Sequence, residues 1–73
     1  MYLLTAKNCQ KCKILHNLLG ELYFSIEIRD AENEMDFCRK VGLKSVPALV
    51  MDEDAFTTDL DEIVRLVEQK IKG

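Results

Sequence analysis

The chain has 73 residues, 48% of them apolar, and a formal net charge of −3. This length suits one small domain spanning residues 1–73, near the lower limit for a self-sufficient core, and the apolar fraction argues against disorder. No run approaches the roughly 18 apolar residues of a membrane span, the opening residues Met1 to Ala6 lack the basic region of a signal peptide, and the charge gives no electrostatic case for binding nucleic acid or an acidic membrane. Three cysteines, an odd number, fit a reducing compartment better than a secreted disulfide scaffold, so the cytoplasm is the expected location.

In chain order, Tyr2 to Ala6 is a short apolar run that reads as a buried strand. From Gln10 to Leu22, Ile14, Leu15, Leu18, Leu19 and Leu22 recur at helical spacing and predict one apolar stripe, with Asn8 as a cap or turn residue before it. Phe24 to Arg29 alternates apolar and polar, the pattern of a half-buried strand. Glu32 to Val41 predicts a second helix stopped by Gly42. Val46 to Met51 is almost continuously apolar and predicts a strand covered on both faces. Asp52-Glu53-Asp54 reads as a turn and Ala55 to Thr57 as a returning strand. Asp59 and Glu62, three apart, predict the start of a last helix whose stripe is Leu60, Ile63, Val64, Val67 and Ile71. The order β-α-β-α-β-β-α implies an α/β fold with a four-stranded mixed sheet covered by three helices.

The chemistry concentrates at Cys9-Gln10-Lys11-Cys12, where the first strand passes into the first helix. Two cysteines at this spacing can close and reopen a disulfide, or supply half a metal site. The sulfur nearer the helix N-terminus is the one the helix field can hold as a thiolate. Charge adds to this: residues 1–20 hold Lys7, Lys11 and Lys13 and no acid, while the other 53 residues carry seven basic and thirteen acidic side chains. A positive local field favours thiolate over thiol. For metal binding, His16 and Cys38 would complete a set with Cys9 and Cys12, but zinc sites commonly assemble from two ligand pairs on loops. His16 then reads as a helix-boundary residue and Cys38 as a small, half-buried apolar side chain of the second helix. The acidic stretch from Asp52 to Glu62 reads as solvated turn and helix start.

The strand–helix CxxC, the order of elements and Ser45-Val46-Pro47 together resemble the glutaredoxin branch of the thioredoxin fold. That resemblance covers the whole chain in element order and rests on two specific motifs, the CxxC and the Val-Pro. It implies that Cys9 is the attacking thiolate and Cys12 the resolving thiol. It also implies a cis peptide bond at Pro47, opposite the redox pair, with Lys7, Gln10, Lys11, Val46 and Pro47 meeting the substrate. No metal or organic cofactor would be needed beyond the Cys9–Cys12 disulfide.

Departures from the family pattern narrow the expectation. Gln10-Lys11 stands where common glutaredoxins have Pro-Tyr, and the chain has no tryptophan. Thr57-Thr58-Asp59-Leu60-Asp61 lacks the paired glycines that let backbone approach glutathione in that family, and threonine adds a β-branched side chain there. The chain is thus most similar to the redoxins that draw electrons from thioredoxin reductase and deliver them to ribonucleotide reductase. The expectation is a monomeric dithiol–disulfide oxidoreductase acting on a protein disulfide. A glutathione-dependent glutaredoxin and a zinc or iron–sulfur module are the alternatives.

Overall fold

The computed structural model describes residues 1–52 and 55–73. Strand β1 (Tyr2–Thr5) leads into helix α1 (Gln10–Leu19), followed by β2 (Glu27–Asp30), α2 (Met35–Val41), β3 (Ala48–Val50), β4 (Phe56–Thr57) and α3 (Leu60–Lys72). This is the expected α/β order, and it is thioredoxin-like. The sheet runs β2-β1-β3-β4, with β1 parallel to β2 and antiparallel to β3, and β4 antiparallel to β3.

Because side chains alternate across a strand, neighbouring residues of β1 serve opposite faces. Leu3 packs with Leu49, Leu15, Leu19, Ile63 and Val67, beneath α1 and α3. Leu4 packs with Ala48, Val50 and Leu43, and Phe37, Cys38 and Val41 of α2 close over that group. Leu3 and Leu49 are directly opposite in the β1–β3 register, so one cross-strand pair lies beneath the α1–α3 layer. All three residues of β3 are buried, as an apolar run covered on both faces requires.

Several boundaries differ from the sequence expectation. Helix α1 ends at Leu19 rather than Leu22, because Gly20, whose N–H still donates to the His16 carbonyl, takes φ 59. Left-handed backbone of this kind suits glycine and closes the helix. Residues 20–25 continue as a 3-10 turn, so Phe24 and Ser25 lie outside the strand expected to begin there. Leu22, Tyr23 and Ile26 pack against the α1–α3 core, and their burial draws the segment into a turn despite its alternating pattern. Within α1, Cys12, Leu15 and Leu19 are buried, whereas Ile14 and Leu18 remain 42% and 55% exposed. Cys12 takes the place on the buried arc that the apolar stripe had assigned to them. Ile71 of the last helix also faces outward, at 37% exposure.

The second helix is divided. Residues 31–34 form a 3-10 turn, opened by the Asp30 carboxylate accepting the Glu32 N–H at 2.9 Å. The α-helix proper begins at Met35. Its end carries two bonds of a Schellman closure, Leu43 N–H to Cys38 carbonyl at 2.8 Å and Gly42 N–H to Arg39 carbonyl at 3.4 Å, with Gly42 at φ 74. Residues 53 and 54 of the expected turn lie outside the described residues; beside them Met51 N–H donates to the Ala55 carbonyl at 2.9 Å. Asp59 caps α3 as expected, its carboxylate accepting the Glu62 N–H at 3.2 Å.

The contrast within α1 is testable by urea unfolding. Leu15→Ala is expected to cost about 2–5 kcal/mol as a truncation in a closed core. Leu18→Ala is expected to change stability by less than about 0.5 kcal/mol.

Candidate functional site

The cysteine pair sits where β1 gives way to α1. After Thr5, residues 6–8 turn the chain, with Asn8 at φ 57, a left-handed conformation that asparagine tolerates better than most side chains. Cys9 follows in extended conformation as the N-cap of α1. Its sulfur fills the role usually taken by a side-chain oxygen: the Cys12 N–H donates to Cys9 Sγ at 3.2 Å. Cys9 and Cys12 are joined as a disulfide, with their Cα atoms 5.2 Å apart.

The two sulfurs occupy unequal environments. Cys12 is buried at 8% exposure, while Cys9 is half-exposed at the helix mouth. No acidic residue lies in the first turn of α1, so no carboxylate of that turn offsets the positive end of the helix dipole. Lys7, Gln10 and Lys11 are all exposed around it. Among the described residues Lys7, Lys11 and Lys13 take part in no ion pair.

From the other side of the sheet, the Val46–Pro47 segment reaches the same point. This peptide bond is cis, Pro47 is buried, and the Val46 carbonyl oxygen lies 3.6 Å from Cys9 Sγ. Residues 37 positions apart are thereby brought into contact. A depression of about 210 Å³ opens beside the pair, lined by residues 5–9 together with Cys12, Lys13, His16 and Tyr23. Lys7 therefore stands at the depression, whereas Gln10, Lys11, Val46 and Pro47 are not part of its lining.

The side chains considered as a metal set are not gathered. Cys9 and Cys12 bond each other, His16 stacks on Tyr23, and Cys38 packs with the α2-side core as a free, half-buried thiol. Among the described residues, no three His, Cys, Asp or Glu side chains are grouped to hold an ion. In the segment after β4, Thr57 Oγ1 accepts the Asp59 N–H at 3.3 Å and the Asp59 carboxylate accepts the Glu62 N–H. A backbone donor that could face a ligand is thus used internally.

Two titrations on the β2 side of the sheet are displaced. Burial, with help from Glu34, raises the Tyr2 phenol, over whose ring the Arg29 guanidinium sits at 3.9 Å. The side-chain hydrogen bond from Arg29 lowers the Glu27 carboxyl.

One group of residues beside the site escaped the sequence reading. His16, Tyr23 and Phe24 form a continuous aromatic cluster, although Phe24 reads as a strand residue and Tyr23 carries no motif. The available signal was Gly20, whose position after the helix allows the next segment to fold back on α1.

Compared with known proteins, the chain matches no family model, no curated protein and no solved structure. Among the described residues no helix is long and apolar enough to cross a membrane. What stands is a small α/β fold with a mixed four-stranded sheet and a CxxC disulfide at a strand–helix junction.

The inequality of the sulfurs has a direct chemical consequence. After reduction and brief iodoacetamide treatment, peptide mass mapping is expected to find Cys9 alkylated at least about tenfold faster than Cys12, since accessible thiolate controls the rate. Equal labelling would contradict the assignment of an outer and an inner sulfur.

Proposed function

We propose that the chain is a dithiol–disulfide oxidoreductase, a small glutaredoxin-like electron carrier acting on protein disulfides. The observation that carries this reading is the placement of Cys9 Sγ. It caps a helix N-terminus, receives the Cys12 N–H, and meets the Val46 carbonyl next to cis-Pro47.

In the reduced protein Cys9, as thiolate, attacks one sulfur of the substrate disulfide. The Cys9–substrate bond forms, the substrate S–S bond breaks, and one substrate thiolate leaves. Cys12, on losing its proton, then attacks Cys9 Sγ. The Cys9–Cys12 bond forms and the second substrate thiolate leaves. Two electrons pass to the substrate, whose thiolates take up two protons. Rate depends on the thiolate fraction, nucleophilicity and access of the attacking sulfur. The helix terminus and the nearby lysines favour the first of these. Val46 and Pro47 supply the platform for the substrate segment, with Lys7, Gln10 and Lys11 around the entering disulfide.

A reductase must restore the dithiol. The self-satisfied Thr57–Asp59 segment and the absent glycines favour direct reduction by a thioredoxin reductase over glutathione. Ribonucleotide reductase, a protein with a disulfide to be reduced, is one fitting acceptor, and a reducing cytoplasm the fitting compartment. The carrier functions as a monomer, with no metal or organic cofactor.

NADPH-coupled reduction of a protein disulfide tests this reading. Turnover is expected with thioredoxin reductase and to be weak with glutathione plus glutathione reductase. Cys9→Ser should fall to background, and Cys12→Ser should accumulate a mixed disulfide visible by mass spectrometry. Parent-like turnover by Cys9→Ser would overturn the proposed mechanism.

A further inference from the structure

We propose that His16, Tyr23 and Phe24, with Lys7 and Lys13, form the docking surface for the substrate, and that the segment docked there is acidic and carries an apolar side chain beside its disulfide. This rests on the thiol-exchange reading above and names the class of polypeptide that reaction takes.

The surface is built by the turn at Gly20, which folds residues 20–25 back along α1. His16 and Tyr23 stack with centroids 3.8 Å apart and planes at 16°. Phe24 packs edge-on against both rings, at 5.5 Å from each. Phe24 nevertheless remains 77% exposed. Single exposed apolar residues are ordinary, but three contiguous rings adjoining a reactive pair form a patch of the kind that marks an interaction site. The patch is continuous with the cysteines, because His16 and Tyr23 line the same depression as Cys9 and Cys12.

Charge identifies the occupant. Lys7 and Lys13 line that depression, and among the described residues neither has an ion-pair partner. Lys11 adds a third positive charge nearby, and Glu21 is the first acid in the chain. A segment bearing Asp or Glu would be attracted and a basic segment repelled. The rings give the same segment an apolar contact, which glutathione, having no apolar side chain, cannot supply. Ile14 and Leu18, though exposed, lie on the opposite flank of α1 from Lys13 and His16 at 100° per residue, and are not part of this surface.

The test uses the full chain, reduced, and two synthetic peptides. Each has one internal disulfide flanked by Phe, and they differ only in carrying Asp or Lys residues beside it. 2-Hydroxyethyl disulfide and glutathione disulfide serve as small comparators. Second-order rate constants are followed by acid quench and chromatography. At low salt the Asp peptide is expected to be reduced about tenfold faster than the Lys peptide, with the ratio falling below about two near 0.5 M NaCl. Lys13→Glu should shrink the low-salt ratio. Phe24→Ser should slow the Asp peptide several-fold more than it slows hydroxyethyl disulfide, a difference that mere loss of folding would not produce.

Equal rates for the two peptides at low salt, or the same proportional loss for peptide and hydroxyethyl disulfide in Phe24→Ser, would overturn the docking surface while leaving thiol exchange intact. Glutathione disulfide showing the same dependence on Phe24 would overturn the polypeptide assignment. Failure to reduce any of the four disulfides would instead remove the thiol-exchange reading, and this proposal with it.

Discussion

The structure depends on β1 being covered on both faces. Leu3 and Leu4 are adjacent in sequence and both wholly buried, so the strand between them must lie in the middle of a layered fold. Each such side chain contributes about 1.5–3 kcal/mol by leaving water. In so short a chain a few residues of this kind carry much of the net stability. Because β1 pairs with both β2 and β3, it also fixes where the chain emerges into the turn at residues 6–8. Cys9 is placed by that exit, and α1 is held in line with it through Leu15 and Leu19.

From this geometry the chemical asymmetry follows. A sulfur at an N-cap is exposed to the helix field and to the N–H groups of the first turn, while a sulfur one turn later faces the core. The same helix that anchors the fold therefore divides the pair into an open member and a sheltered one. Val46 reaches Cys9 for a related reason: β3 lies next to β1, and the residues preceding it arrive beside the end of β1. Val46 and the cysteine pair are neighbours because two strands are neighbours.

Legibility in the sequence varied with the kind of signal. The CxxC, the helix-stopping Gly42, the Asp59 cap and the doubly buried β3 were readable, since each depends on local geometry or continuous hydrophobicity. Ile14 and Leu18 were misplaced because a stripe of five apolar residues is wider than the arc the sheet could accept, and Cys12 occupied part of that arc. Phe24 and Ser25 alternate like a strand, yet the burial of Leu22 and Tyr23 drew them into a turn. Nothing local distinguishes Tyr23 as a partner of His16. Their stacking arises only once Gly20 has reversed the chain.

By itself the sequence determined the order of elements, the pair of cysteines and the positive charge around them. These are properties of spacing and composition, which survive whatever the chain packs against. Tertiary structure alone decided how far Cys12 is sheltered, at 8% exposure, and which atom of the Val46–Pro47 segment meets Cys9, the Val46 carbonyl oxygen. It also decided that His16 and Tyr23 gather beside the pair, with Phe24 packed against them. Each of these joins residues that are distant in sequence or compete for one buried face, and such contests are settled by the packing of the whole core.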